Sequence, residues 1–243
     1  MDNIKYSSQR ADIETSSDEY AKRFIGESGK YFLDTQKNIT LKLLDNFRGA
    51  SVLDVGGGHA QLSVPLVENG FKVTIVGSSS ECRKRLDNQL TPDSFSFKVG
   101  DLLNLPFEDK SFDIVIAFRL LPHEENWKIQ INELCRVARY GVIVDFPDIR
   151  SFNIFYRLLF SFKKKVEVNT RRFMTFNREQ ITNEFSESGF SRVTFEPQFF
   201  FPMVVHRTIN NVKLSKSIES ISKFFGLTYL FGSPIIIMAT KKI

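Results

Sequence analysis

The sequence predicts an α/β fold in which a mostly parallel sheet is covered by helices on both faces. Short, almost continuously apolar segments alternate with helical segments from Ser51 to Phe146, and the first of these strands runs directly into Gly56–Gly58. Glycines at a strand-to-helix turn let the backbone approach a ligand closely, and the next helix offers unpaired N–H groups at its start. We therefore expect a nucleotide-like cofactor at the carboxyl ends of the strands.

Apolar runs and helical spacing define the elements in order. Residues 1–16 are polar and lack an apolar period, so we expect them to be disordered; Ser17 then caps a short helix, and a longer amphipathic helix follows. Strands are predicted at residues 51–55, 71–76, 95–99, 112–118, 141–146, 190–196 and 234–240. Helices are predicted at residues 61–69, 80–90, 124–138, 151–162 and 177–188.

Composition sets broad limits on the class of protein. A chain of 243 residues with 42% hydrophobic residues can form one large α/β domain, and a net charge of +5 is compatible with simple solubility. Cys82 and Cys135 lack the spacing of metal ligands, so we expect neither a disulfide framework nor a metal site. The polar start and the lack of a long apolar run predict a soluble, cytoplasmic protein.

The glycine loop fits a dinucleotide poorly. A dinucleotide loop requires Gly-x-Gly-x-x-Gly, in which the third glycine lets the helix pack closely on the strand. Gly56 and Gly58 fit this pattern, but Gln61 takes the third place. The acidic residue expected about 20 residues later is also missing, because Gly77 ends the second strand.

Four ordered blocks instead resemble the class I S-adenosylmethionine-dependent methyltransferases, in particular the small-molecule, methyltransferase type 11-like group. The resemblance covers roughly Ser51 to Asp145, and the order of the blocks makes it specific. The blocks are Asp54–Gly58, Gly100–Phe107, Ser111–Val115 and Glu133–Val137.

This resemblance implies a Rossmann-like three-layer α/β/α sandwich with a seven-stranded, mostly parallel sheet, an antiparallel last strand and a helical lid. We expect an N-terminal helical cap over residues 1–50 and a methyltransferase domain over 51–243, with lid insertions near 148–176 and 199–230. The implied cofactor is S-adenosyl-L-methionine.

The resemblance also implies which residues hold that cofactor. Asp54 would bind the ammonium group of the methionine part, while loop N–H groups face the carboxylate. Asp101 would accept a hydrogen bond from the adenine amine, with Leu102 against the ring. Two structural alternatives stay open, since Asp54 could instead satisfy loop amides and Asp101 could be an ordinary turn residue. The expected cofactor-binding set is Asp54, Gly56, Gly57, Gly58, Ser78, Ser79, Asp101, Leu102 and Phe118.

The chain departs from the family at Gly77, where relatives usually place a carboxylate that binds both ribose hydroxyls. Ser78, Ser79 or Glu81 could take over this role, or the serines could only cap the next helix. Neutral hydroxyl contacts are about half as strong as charge-assisted ones. This departure leaves open a cofactor-binding protein without transferase activity, and a nicotinamide-dependent reductase is a further alternative.

Candidate residues for catalysis and acceptor binding follow the fourth strand and lie in the N-terminal helices. His123 is the candidate general base, because its ordinary pKa lies near neutrality; the alternative is a polar residue at a helix start. Arg119 would meet an anionic acceptor or pair with a helix acid, and Tyr20 and Arg23 are further candidate acceptor contacts. His59 lies within the loop and is expected to order it.

The acceptor is expected to be a small molecule that is apolar or aromatic. Ala117–Leu120 replaces the Asn- or Asp-Pro-Pro-aromatic motif of nucleic-acid amino-methyltransferases, which argues against a nucleic-acid partner. The Phe-rich flanks would form an apolar cover over the acceptor, or simply the core that holds the lids to the sheet. Lys163–Lys165, beside the helix predicted over residues 151–162, would suit contact with a membrane surface.

Overall fold

The computed structural model of the protein describes residues 9–151 and 173–241. Its strands are β1 (Ser51–Val55), β2 (Lys72–Gly77), β3 (Phe95–Val99), β4 (Phe112–Ala117), β5 (Ala138–Phe146), β6 (Arg192–Pro197) and β7 (Ile235–Thr240). Its helices are α1 (Gln9–Thr15), α2 (Asp18–Ala21), α3 (Gly26–Leu43), α4 (Ser63–Glu68), α5 (Lys84–Asp87), α6 (Trp127–Val137), α7 (Arg178–Glu187), α8 (Met203–Ile209), α9 (Val212–Phe224) and α10 (Leu227–Phe231).

The strands form one seven-stranded sheet in the order β3-β2-β1-β4-β5-β7-β6, and β7 runs antiparallel to both neighbours. The predicted sheet and its antiparallel last strand are confirmed. In register, Asp54 lies between Ile75 of β2 and Ile116 of β4. The carboxyl ends of the parallel strands therefore meet around Asp54, where such sheets bind ligands.

Alternation along the strands supplies a core on each face of the sheet. Val52 packs on the face that carries Leu66 of α4, whereas the next residue, Leu53, packs on the face that carries Leu134 of α6 and Phe185 of α7. These buried layers confirm the predicted three-layer sandwich. Helices on both faces leave the strand ends as the place where a ligand can enter.

Several predicted helices are shorter than expected, and two of them are interrupted near their start. The helix predicted from residue 61 begins at Ser63, because Ala60 adopts a positive φ of 65° that interrupts regular helix geometry. The helix predicted over residues 80–90 splits into a 3₁₀ turn, Ser80–Arg83, and the short α5. The helix predicted over residues 151–162 lies outside the described residues.

The expected disorder of residues 1–16 is wrong for the part that the structure describes. Residues from Gln9 form α1, in which Ala11 and Asp12 are buried. The Asp12 carboxylate accepts hydrogen bonds from the Ser78 N–H and hydroxyl. These contacts join α1 to the end of β2. The helix is held by distant polar groups, which an apolar period cannot reveal.

No helix within residues 9–151 and 173–241 is long and apolar enough to cross a membrane. Across the same residues, no group of three or more His, Cys, Asp or Glu side chains could hold a metal ion. Cys82 and Cys135 are buried and form no disulfide.

Candidate functional site

Asp54, the residue before the last of β1, carries a buried carboxyl group beneath the glycine loop. The Ser63 hydroxyl at the start of α4 donates a hydrogen bond to it at 2.6 Å. Burial raises the pKa of Asp54 to about 7, and the Ser63 hydrogen bond and the Arg119 charge partly oppose this. The group is therefore poised to ionise when a cation, such as an ammonium group, lies beside it.

The three loop glycines are required by close packing. A Cβ on Gly57 would lie 2.3 Å from the Asp54 carboxylate, and one on Gly58 would lie 2.2 Å from the Ser16 hydroxyl. Gly56 has a positive φ of 71°, and its Cβ would press on Leu120. The loop thus lies directly over Asp54 and beneath the N-terminal segment.

The end of β2 has no room for the missing ribose carboxylate. A Cβ on Gly77 would lie 2.9 Å from the Cβ of Cys82 and 3.1 Å from the ring of Phe97. A carboxylate nevertheless lies beside this strand end, because Asp12 of α1 binds the Ser78 N–H at 2.7 Å and its hydroxyl at 2.6 Å. Sequence reasoning missed Asp12 because it lies in a polar segment far from the glycine loop.

The other residues expected at the adenosine end occupy different surroundings. Ser79 caps the following turn by accepting a hydrogen bond from the Glu81 N–H at 3.2 Å. Asp101 follows β3 and accepts one from the Leu103 N–H at 2.9 Å, while Leu102 is buried in the core. Phe118 directly follows β4 and is also buried. The Ser79 contact supports the alternative that the serines cap the next helix, and the Asp101 contact supports the alternative that Asp101 is a turn residue.

Arg119 projects from a strained backbone into the site. Its φ is +61°, a conformation that is uncommon for residues other than glycine. Its guanidinium lies 5.5 Å from the Tyr20 ring centroid and 5.7 Å from that of Phe24. A half-buried cation against two aromatic rings can bind an anion without leaving the ring contacts.

A second buried carboxyl group, Asp145, lies near the end of β5. It accepts hydrogen bonds from the Arg119 N–H at 2.6 Å and from the Gln36 side chain at 3.2 Å. Burial raises the pKa of Asp145 to about 6, although these hydrogen bonds and the Arg119 charge favour the ionised form. Sequence reasoning missed this group as a site residue. Its signal was an acid near the end of an apolar strand, as at Asp54.

The surroundings of His59 and Arg119 show whether the polar amino-acid end of the expected cofactor fits beside the glycine loop. Its ring lies 5.7 Å from the rings of Tyr20 and Phe24, and burial lowers its pKa to about 2. Four buried nitrogens here have no hydrogen-bond partner among the described residues. They are both ring nitrogens of His59 and the Nε and Nη1 atoms of Arg119. Such buried polar atoms are normally satisfied, so this part of the site fits the polar amino-acid end of the expected cofactor.

Beside these groups lies a pocket of about 320 Å³ with a mainly apolar lining. Residues of the N-terminal helices form one wall, those of the β6–α8 connection form another, and polar groups from β4 and β5 lie between them. The aromatic and other apolar lining residues include Tyr20, Phe24, Phe32, Phe146, Phe200, Phe201 and Met203, and the polar ones include Gln36, Arg119, His123, Asp145 and Gln198.

Three of the four predicted catalytic and acceptor residues line this pocket. His123 lines it and contacts the Phe173 ring at 5.7 Å between ring centroids. Tyr20 and Arg119 line it too. Arg23 lies outside the lining, where it contacts the outer face of the Tyr20 ring at 4.8 Å and pairs with Glu14 at 3.6 Å.

The sheet order, the glycine loop over a buried acid and the adjacent pocket are typical of Rossmann-like cofactor-binding proteins. Residues 53–144 match the family described as methyltransferase domain. A 2-methyl-6-phytyl-1,4-hydroquinone methyltransferase of Synechocystis is 36% identical over 102 residues, which are 41% of this chain and 32% of that relative. A demethylmenaquinone methyltransferase of Staphylococcus saprophyticus is 28% identical over 65% of this chain and 78% of that relative.

Solved structures share the fold along nearly the whole chain. Magnesium protoporphyrin IX methyltransferase from Synechocystis, solved with bound SAH, has a TM-score of 0.64 at 16% identity, covering 97% of this chain and all of that one. A SAM-dependent methyltransferase from Thermotoga maritima gives 0.62 at 18% identity, covering 96% and 99%. Residues 53–144 therefore match a methyltransferase domain, and the chain has the fold of the S-adenosylmethionine-dependent methyltransferases.

S-adenosylmethionine, the cofactor that the sequence predicted, is the cofactor of this methyltransferase fold, and a solved relative contains it. The relatives and solved structures named above are all methyltransferases. They give no support to the nicotinamide-dependent reductase or to a donor-binding protein without transferase activity.

Proposed function

We propose that this protein transfers the methyl group of S-adenosylmethionine to a flat aromatic acceptor of the hydroquinone class that carries an apolar substituent. The observation that carries the proposal is the aromatic-walled pocket of about 320 Å³ in which His123, Arg119 and Asp145 are the reactive polar groups. The names of two relatives, a phytyl-hydroquinone and a demethylmenaquinone methyltransferase, support this acceptor class.

The donor would be held by residues around the glycine loop. S-adenosylmethionine supplies an electrophilic methyl group when bound. We assign its ammonium end to Asp54 and its carboxylate to the loop N–H groups, and the partnerless nitrogens of Arg119 support a negative group nearby. Asp101, Leu102 and Phe118 remain our proposal for the adenine. We propose that Asp12 and Ser78 lie next to the ribose, since Gly77 cannot carry an acid.

The acceptor hydroxyl must lose its proton for the ring to become a good nucleophile. His123 and Asp145 both line the pocket, so either can accept this proton. Asp145 has a pKa of about 6 because of burial and is mostly ionised at neutral pH. We keep His123 as the general base and give Asp145 the role of a hydrogen-bond acceptor for a hydroxyl of the acceptor ring.

Arg119 would stabilise the phenolate that forms when the hydroxyl loses its proton. Its guanidinium lies against Tyr20 and Phe24, so the cation is already in place before the acceptor binds. A preorganised charge of this kind needs no rearrangement as negative charge develops. Arg23 lies outside the pocket lining, so we assign it a part in holding Tyr20 through the ring contact at 4.8 Å.

The helices of residues 1–50 and the insertion at 199–230 would form the cover that keeps water from the reacting atoms. Tyr20, Phe24 and Phe32 of the first part and Phe200 and Phe201 of the second support this assignment, because they line the same pocket. The insertion near 148–176 lies mostly outside the described residues, as do Lys163–Lys165, so membrane contact through those lysines remains a prediction. A cytoplasmic location likewise remains a prediction from the sequence.

Incubation with radiolabelled S-adenosylmethionine and a graded acceptor series tests the proposed function. The series contains hydroquinones without a tail, with a short prenyl tail and with a long one, together with a catechol, a primary amine and a carboxylic acid. We expect methylation of the tailed hydroquinones, and a loss of about 100-fold in kcat for His123→Gln with little change in donor affinity. Methylation of the amine or acid in preference to every hydroquinone would contradict it.

A further inference from the structure

Helix α9 presents three of its five apolar residues to solvent, while its fully buried residues are polar. Its most buried residues are Ser215, Glu219 and Ser222. Leu214 and Ile221, in contrast, are 50% and 57% exposed. In a helix that only covers its own protein, the apolar stripe faces the core. The pattern of α9 is therefore the reverse of the usual one.

Fixed hydrogen bonds hold α9 in this orientation. The Glu219 carboxylate accepts hydrogen bonds from the N–H groups of Phe200 and Phe201, at 2.9 and 3.0 Å. It also lies 3.0 Å from Nε2 of the buried His206 on α8. Turning the helix to bury its apolar stripe would break all three contacts. The outward apolar face is thus built into the packing of the insertion.

The exposed apolar face continues from α9 onto α10, which packs against it. Phe224 is 85% exposed and Phe225 is 68% exposed, far above what a large apolar side chain normally shows. We call this face the α9–α10 surface; it consists of Leu214, Ile221, Phe224, Phe225, Tyr229, Leu230 and Phe231.

The exposed charged side chains of the segment that carries this surface are all cationic. From Met203 to Phe231 the chain carries four cationic side chains and a single acidic one, Glu219, which is buried. The surface therefore presents aromatic and aliphatic side chains beside cations, without an exposed carboxylate. The four cations are Arg207, Lys213, Lys216 and Lys223.

We propose that the α9–α10 surface docks on a membrane that contains anionic phospholipids. Apolar and aromatic side chains on such a face enter the boundary between headgroups and acyl chains, while flanking lysines approach the lipid phosphates. The surface lies near the acceptor pocket, because Phe200, Phe201 and Met203 line that pocket directly before and at the start of α8, and α8 contacts α9. Docking would bring the pocket close to the bilayer, and it does not depend on which acceptor is methylated.

Vesicle co-sedimentation of the full chain tests the proposal without any methyl acceptor. Phosphatidylglycerol-containing vesicles are compared with pure phosphatidylcholine vesicles, at low salt and at about 0.5 M salt. We expect at least about 10-fold stronger partition to the anionic vesicles, weakened by salt.

Two variants and one control assign the binding to this surface. Phe224→Ser with Phe225→Ser removes two exposed rings, and we expect it to lower partition about 10-fold with an unchanged Tm. Lys213→Glu with Lys223→Glu should abolish the preference for anionic vesicles. Ile129→Ser is the matched control, because Ile129 is 53% exposed on the distant helix α6. Equal partition of the wild type, the Phe variant and the control would overturn the proposal.

Two other occupants of the surface give different results. If a second copy covers it, light scattering will show a dimer that the Phe variant converts to a monomer, and vesicles will not bind the dimer. If residues 152–172 cover it, backbone amides of residues 221–231 will be protected from exchange before vesicles are added. Either result would overturn membrane docking, whereas monomeric, unprotected protein that binds anionic vesicles would support it.

Discussion

The carboxylate of Asp12 accepts two hydrogen bonds from Ser78, one from its backbone N–H at 2.7 Å and one from its hydroxyl at 2.6 Å. The thiol of Cys82 contacts the same carboxylate at 3.3 Å. These contacts tie the N-terminal helix to the end of β2, beside Gly77. The chain thus brings a carboxylate from α1 to a strand end that has no room for one of its own.

We expect Asp12→Ala to weaken the binding of S-adenosylhomocysteine about 10-fold, because α1 would lose its attachment to Ser78. Calorimetry measures the affinity, and amide exchange over residues 9–16 reports whether α1 has separated. Asp18→Ala is the control, since Asp18 is exposed and only pairs with Arg85. If Asp12→Ala increases exchange in α1 but leaves the affinity unchanged, the helix has no part in donor binding.

The raised pKa of Asp54 predicts that the free energy of unfolding depends on pH when no donor is bound. Its folded-state pKa of about 7 lies above its ordinary value of 3.8, so the folded protein holds a proton that the unfolded chain releases. The free energy of unfolding should therefore fall as the pH rises from about 4 to about 7. Asp54→Asn should lack this fall and be more stable than the wild type by about 2 kcal/mol at pH 8.

Thermal unfolding across this pH range, without ligand, measures the effect. The same variant should bind S-adenosylhomocysteine at least about 10-fold more weakly, because it offers no carboxylate to an ammonium group. Parallel stability profiles of variant and wild type would show that Asp54 is already ionised in the folded protein.

Arg119 predicts a shift in the pH dependence of methyl transfer. Its charge lowers the pKa of Asp145 toward the ordinary range, so its removal should raise that pKa. If the ionised Asp145 binds the acceptor, activity rises with pH through about 6 in the wild type. In Arg119→Gln the midpoint should move up by about one pH unit.

The pH–rate profile with a tailed hydroquinone provides this measurement. Arg119→Lys keeps the charge and should keep the midpoint, which separates the effect of the charge from the loss of the guanidinium contacts. A midpoint that is the same in both variants and in the wild type would rule out Asp145 as the titrating group.

We expect a side chain at position 57 to clash with Asp54, and we expect truncation of Asp54 to relieve the clash. A Cβ at this position would lie 2.3 Å from the Asp54 carboxylate, so Gly57→Ala should lower the free energy of unfolding by about 2 kcal/mol. Adding Asp54→Ala removes the carboxylate and should restore most of that loss. Chemical denaturation of the two single variants and the double variant measures the coupling. Additive effects would mean that the loop moves away from Asp54 without cost.

Most of the sheet could be predicted from the sequence because its pattern is local. Near-continuous apolar strands, the glycine turn after Val55 and the order of the four motifs were sufficient for the fold and the donor. Two site features also followed from the sequence: the place of Asp54 and the absence of an acid at Gly77. Each of these depends on residues close together in the chain.

What the tertiary structure alone decided depends on contacts between distant segments. Asp12 lies 66 residues from Ser78, and Gln36 lies 109 residues from Asp145, so no local pattern could pair them. The outward apolar face of α9 is likewise set by Glu219 binding the N–H groups of Phe200 and Phe201. Sequence periodicity reports which side of a helix is apolar. Only the packing of buried polar groups decided that this side faces out.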